Sequence, residues 1–324
     1  MRAWRAHDYG PYRDVLRYEE VDRPELPEAG VILKVEAAAL NFPDLLAIAG
    51  KYQVKAPLPF IPGMECAGTV VEAGARSRHQ PGDRVIASTL WGAFAEELAV
   101  ADPHLLPVPS GMTAAQAASF LITYQTAYFA LVHRTTLRAG ETLLVHGGAG
   151  GVGVSAIQLG RALGATVIAT AGSDAKCEVC TRAGAHHVIN YHDDDFVAAV
   201  NKLTGGKGAD VIYDPVGGDV FDKSLKCIAW EGRLLVIGFA SGRIPELKVN
   251  RVLLKNVSVV GLFWGAYAPR DPAKIVATHE ALSAHFARGE VTPMIWKELP
   301  LAELPAGLAA LESRASWGKV VVTP

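Results

Sequence analysis

Gly148, Gly150 and Gly153 stand in the spacing G-x-G-x-x-G. Glycine at these positions answers three demands of a dinucleotide's diphosphate. The chain must turn sharply off a strand, its backbone must approach with no side chain in between, and a helix must start close to the sheet. Gly151 and Val152 complete the turn, and the free N–H groups and positive dipole end of the following helix then face the phosphates. A second group selects the nucleotide. An NAD-preferring site carries Asp or Glu about 20 residues further on, to grip the ribose 2′-hydroxyl. Here Gly172 and Ser173 occupy the expected strand end, and Lys176 lies one turn into the next helix. Small residues, a hydroxyl donor and a cation suit a 2′-phosphate, so NADPH is the expected cofactor. Asp174 is expected to cap its own helix.

The elements that position these residues follow from periodicity. Leu143, Leu144, Val145 and His146 form an apolar run of the buried-strand type. Val154, Ile157, Leu159, Ala162 and Leu163 recur at helical spacing, and residues 166–170 read as the next strand. Strands at 187–191, 210–213, 233–238 and 256–262 continue the alternation, so six parallel strands are expected in one doubly wound, Rossmann-type α/β sheet. Asp193, Asp194 and Asp195 resemble an acidic site but open a helix, where carboxylates suit the dipole. Residues 1–120 read instead as short strands and turns, with strands at 30–38, 68–73, 83–87 and 94–100, and therefore as a compact β-rich domain. From residue 113 the period turns helical through about residue 133. The junction is placed there: 1–122 and 265–324 as the β-rich substrate domain, 123–264 as the nucleotide domain. A helix is expected over 271–288, and a tail strand over 317–322 that returns to the first domain.

Composition limits the partners. The chain has 324 residues, a formal net charge of −2 and no basic stripe, which speaks against nucleic acid and anionic membrane surfaces. No run approaches the roughly 18 apolar residues of a spanning helix. The first eight residues show no apolar secretory core, so the cytosol is the expected compartment. Four cysteines make no disulfide framework, and Cys177 and Cys180, a C-x-x-C within a helix, are read as packing residues.

Taken in order, Asn41-Phe42-Pro43-Asp44, Pro62-Gly63-Met64-Glu65-Cys66-Ala67-Gly68, Pro81-Gly82-Asp83-Arg84-Val85, Gly150-Gly151-Val152-Gly153, Asp214-Pro215-Val216-Gly217-Gly218 and Ser313-Arg314-Ala315 carry a resemblance over nearly the whole chain. The sequence resembles the medium-chain dehydrogenase/reductase superfamily, in its zinc-free quinone oxidoreductase (zeta-crystallin-like) branch. The resemblance implies a GroES-like catalytic domain beside the Rossmann domain. Zinc-dependent alcohol dehydrogenases of the superfamily use a Cys in a C-x-x-D segment and a His in a G-H-E segment. Here Asn41 and Met64 stand at those positions, and neither is the thiolate or imidazole that zinc favours, so no metal is expected.

Without a Lewis acid to hold an alkoxide, the implied chemistry is hydride delivery from NADPH to an electrophilic acceptor: a quinone or an α,β-unsaturated carbonyl. By resemblance, Asn41 and Tyr52 line the cleft above the nicotinamide, joined by Tyr128, and Thr126 touches the nicotinamide ribose. Tyr191 joins Gly172 and Lys176 around the 2′-phosphate, Arg314 reaches the same region, and the backbone of Gly238 and Phe239 meets the nicotinamide half. Asp44 is read as a helix cap rather than a base. Leu46 replaces a tyrosine frequent in relatives, which makes the pocket more apolar. Two other readings stand beside this one: an enoyl-thioester reductase, and a non-catalytic NADPH-binding protein of the crystallin kind. A homodimer is expected through an apolar edge strand at 257–262.

Overall fold

Six short strands rich in Val, Ile and Leu lie side by side and all parallel. Their order across the sheet is His187–Asn190, Thr166–Ala171, Thr142–Val145, Ala209–Asp214, Ile228–Val236 and Ser258–Gly261. Numbered along the chain this is 3-2-1-4-5-6, the Rossmann arrangement, with its switch point between the first and fourth strands. Such strands are apolar throughout because helices cover both faces. Leu144, Ile168, Ile212 and Leu234 form the core with Phe196, Val200, Phe221 and Leu225 from those helices. His146 follows the first strand and is buried with Nδ1 3.0 Å from Thr170 Oγ1 and Nε2 2.9 Å from Ser224 Oγ. Burial lowers its pKa to about 3, so it is a neutral core linker.

The computed structural model describes all 324 residues, which form two compact units: Met1–Ile122 with Pro293–Pro324, and Thr123–Thr292. The second break departs from the expectation at 264/265, because residues 265–292 belong with the nucleotide unit. Gln125 Nε2 donates to Ile275 O at 2.9 Å, and Gln158 exchanges two hydrogen bonds with the backbone of Thr292. These long-range bonds from buried glutamines hold the helix Pro272–Ala287, and periodicity cannot show them.

The other unit is built on a seven-stranded sheet around the ten-residue strand Gly30–Ala39. That strand pairs antiparallel with Glu65–Ala73, Glu97–Ala101 and Lys319–Thr323, so the tail does return here as expected. Val31, Leu33, Val35, Val85, Phe94, Val320 and Leu308 belong to its core. Ala38 pairs with both Cys66 and Val322, which brings three strand ends together: Asn41 just past one, Glu65 and Lys319 opening the others. The short helix Phe42–Ile48 starts at once from that corner, with Pro43 in its first turn.

Two local expectations change. Ser173, not Asp174, is the N-cap of the helix Asp174–Arg182, and Asp174 instead accepts a 3.0 Å bond from Asn190 Nδ2. The helical stretch expected over residues 113–133 is two α-helices, Ala114–Ala118 and Leu121–Tyr128, and the second widens into a π-helix over Phe129–Arg134. The aspartate run behaves as expected at its end: Asp195 caps the helix Phe196–Leu203 by accepting from Val197 N.

Candidate active site

The glycine turn leaves the first Rossmann strand at the switch point. Gly150 is the N-cap of the helix Gly151–Ala162, and the first helical bond runs from Val154 N to Gly150 O at 2.8 Å. The amides of Gly151, Val152 and Gly153 therefore have no partner within the helix, as at any helix start. The three glycines are needed for different reasons. A Cβ on Gly153 would lie 2.3 Å from Gly147 O, and one on Gly148 would lie 2.8 Å from Cys180 Sγ. Both are excluded by the protein itself. A Cβ on Gly150 would meet nothing closer than Gly147 O at 3.4 Å, so the space beside it is claimed by no protein atom. That is the vacancy a diphosphate requires. Cys180 thus packs beneath the turn, and burial raises its thiol pKa to about 12, as it also raises that of Cys177.

At the strand end, Gly172, Ser173, Lys176 and Tyr191 come together. Ser173 Oγ accepts the backbone N–H of Lys176 at 3.4 Å, and the Tyr191 hydroxyl lies where a Cβ of residue 172 would be, 2.3 Å from it. A side chain at 172 would have to displace the half-exposed Tyr191 ring. Gly238 and Phe239 follow the strand Ile228–Val236, packed against the Pro215–Gly217 turn that Asp214 Oδ1 holds through the amides of Val216 and Gly217. Thr126 is buried on the helix Leu121–Tyr128, which Ser155 Oγ and the Tyr124–Gln158 bond fasten to the glycine-turn helix. Tyr128 ends the α-helical stretch, its half-buried ring edge-on to His133 and His285.

The other unit holds a buried polar cluster. Lys319 Nζ donates to Asn41 Oδ1 at 2.6 Å and to Glu65 Oε1 at 2.8 Å. Asn41 Nδ2 donates to Glu65 Oε1 at 3.0 Å and to Ala39 O at 3.3 Å. Glu65 Oε2 accepts Ile122 N at 3.1 Å. Asp44 Oδ2 accepts Asn41 N at 2.7 Å, which confirms its capping place, while its Oδ1 is buried without a partner. Burial raises the Asp44 pKa to about 7, against the opposing pull of the Asn41 amide and the Lys319 charge. Tyr52, half-buried, has its phenol pKa raised by burial and by the charge of Asp44. Arg314 is exposed at the end of the helix Leu304–Glu312, with left-handed backbone.

Zinc does not fit this donor set. Asn41 Oδ1 already faces an ammonium, Met64 offers only a buried thioether, and no group of three or more His, Cys, Asp or Glu side chains could hold a metal ion. Sequence reading assigned nothing to Glu65 or Lys319. The available signal was a charge at the first position of each strand with apolar or small residues directly after it, Glu65-Cys66-Ala67 and Lys319-Val320-Val321-Val322.

Comparison with known proteins agrees with this architecture. Residues 27–110 match the family model described as "Alcohol dehydrogenase GroES-like domain", and residues 151–280 the one described as "Zinc-binding dehydrogenase". The chain is 38% identical to quinone oxidoreductase-like protein 2 of Bos taurus, over 99% of this chain and 93% of that protein. Among solved structures, Escherichia coli quinone oxidoreductase complexed with NADPH superposes with a TM-score of 0.91 at 29% identity over 100% of both chains. The CurK enoyl reductase does so at 0.88 and 28% identity, over 99% of this chain and 98% of that one. A GroES-like unit, a six-stranded parallel Rossmann unit and full-length similarity at this level lead to one conclusion: the chain belongs to the quinone oxidoreductase family of the medium-chain dehydrogenase/reductase superfamily.

Proposed function

We propose that the protein is an NADPH-dependent reductase that passes hydride to a quinone or to the β-carbon of an α,β-unsaturated carbonyl. The observation that carries this reading is the unclaimed space at Gly150 beside the open amides of a helix start. Gly172, Ser173, Lys176 and Tyr191 hold the 2′-phosphate in this reading, with Arg314 as a further cation. Thr126, Gly238 and Phe239 serve the nicotinamide half. Bound NADPH supplies the hydride. The protein's part is to orient the acceptor and to meet the negative charge that develops on its oxygen with neutral donors. Tyr52 of the GroES-like unit, with Tyr128, is assigned as donor to the acceptor, Asn41 is assigned to the wall of the same cleft, and no metal takes part. Similarity to the CurK enoyl reductase supports a second reading, in which the acceptor is an enoyl thioester.

The deciding assay follows NADPH consumption with 1,4-benzoquinone, 9,10-phenanthrenequinone, a small enone and an acryloyl thioester. Turnover of the quinones or the enone is expected. A clear preference for the thioester would favour the second reading, and intact NADPH binding without turnover of any acceptor would favour a binding protein. We place the enzyme in the cytosol, where four free thiols are at home. We also assign a homodimer formed along the edge strand Ser258–Gly261. On that side the apolar exposure is largest on the neighbouring helix Asn250–Lys255, which has no buried residue.

A further inference from the structure

We propose that Lys319 is a positioning residue for the acceptor site: it locks the Asn41 amide with every donor turned into the protein, and so leaves the Tyr52 hydroxyl as the donor to the acceptor oxygen. The inference rests on the reductase reading above, and it begins from hydrogen-bond capacity. Lysine is donor-only, so the atom of Asn41 facing Nζ at 2.6 Å must be Oδ1. That fixes Nδ2 on the other side, where its two hydrogens meet two acceptors, Glu65 Oε1 and Ala39 O. An asparagine amide has two hydrogens to give, and both are used. The lock is itself anchored. Glu65 and Lys319 are 0% and 5% exposed, and each is the other's counter-charge at 2.8 Å. The Asn41 backbone is held from the opposite side by Asp44 Oδ2.

Tyr52 is the complement. Its side chain is half-buried on the loop that follows the helix Phe42–Ile48, close enough to Asp44 to feel its charge. A phenol held neutral can donate to an oxygen that gains charge without giving up its proton first. The division of labour is therefore Lys319 and Glu65 holding Asn41, Asn41 and Asp44 holding the start of the helix, and Tyr52 reaching the acceptor.

The test is a double-mutant cycle together with an exchange measurement. Lys319→Met alone would strand the Glu65 carboxylate in the interior, so the lock is removed with Lys319→Met/Glu65→Gln. With its oxygen kept on Ile122 N–H, the new glutamine turns its Nε2 toward Asn41, a donor that cannot accept, which releases one Asn41 Nδ2 hydrogen. Tyr52→Phe in the wild-type background should lower kcat about a hundredfold or more. In the unlocked background the same change should cost tenfold or less, because Asn41 can now donate in its place. If the two losses simply multiply, the lock is refuted. The second readout needs no turnover. In ligand-free protein labelled with ¹⁵N-asparagine, the Asn41 side-chain amide should exchange at least a hundredfold more slowly than in the unlocked variant. Exchange at the rate of an exposed asparagine in the wild type would overturn the proposal. Wild-type protein that turns over no acceptor, yet keeps a protected Asn41 amide, would sink the reductase reading and uphold the lock.

Discussion

Lys176 and Asp44 make opposite uses of charge. Lys176, one turn into a helix capped by Ser173, is the cation we assign to a 2′-phosphate. Lys176→Ala is expected to weaken NADPH by roughly 1.5–3 kcal/mol and to leave NADH nearly unaffected; titration with both nucleotides checks it, and equal losses would refute the assignment. Asp44 is a carboxyl the fold prefers to keep neutral, since burial lifts its pKa to about 7 from an ordinary value of 3.8. The folded state then holds a proton that the unfolded chain has already released, so stability falls as pH rises from about 4 to about 7 and levels off above. Asp44→Asn keeps an acceptor for the Asn41 amide without the ionisation. It should be more stable than wild type at pH 8, by at most about 4 kcal/mol, and no more stable near pH 4, as thermal melts across that range will report. At this scale the glycines and Gly172 were readable, because their meaning lies in spacing along a few dozen residues. Lys319 was not, because its partner Glu65 is 254 positions away.

The glycine turn separates two reasons for omitting a side chain. Gly153→Ala would ordinarily stabilise a helix by about 1 kcal/mol. Here the added carbon strikes Gly147 O, so a loss on the order of 1–3 kcal/mol is expected instead, measured on ligand-free protein. Gly150→Ala has room in the protein and should melt near the wild-type temperature, yet it should bind NADPH at least tenfold more weakly. Loss of stability at both positions would mean that the turn is shaped only by its own packing. Strand positions were readable because parallel strands covered on both faces are apolar runs with turns after them. Element ends were less so, as at Ser173, where the cap depends on whether its hydroxyl or the Asp174 carboxylate meets the amides of the first turn. The π-helix at Phe129–Arg134 likewise leaves no mark in hydrophobic spacing.

At the scale of the molecule, the exposed helix beside the sheet edge bears on assembly. Val249, the N-cap, and Leu253 and Leu254 of that helix are 78%, 75% and 71% exposed, an apolar surface that suits the dimer we propose. Leu253→Glu/Leu254→Glu should convert the expected dimer into a monomer by light scattering at micromolar concentration; an unchanged mass would place the interface elsewhere. Division into two units followed from the change of period near residue 120, whereas residues 265–292 were misallotted because side-chain bonds from Gln125 and Gln158 decide their place.

The strand Lys319–Thr323 also dictates an order of events during synthesis. Glu65 leaves the ribosome 254 residues before the ammonium that neutralises it. Until then the strand Gly30–Ala39 lacks a neighbour and the corner at Asn41 carries an unbalanced negative charge. Thr123–Thr292, contiguous in the chain, can complete its own core first. A nascent chain should therefore be able to hold nucleotide before it can process an acceptor, and chaperones would meet the GroES-like half as the late folder.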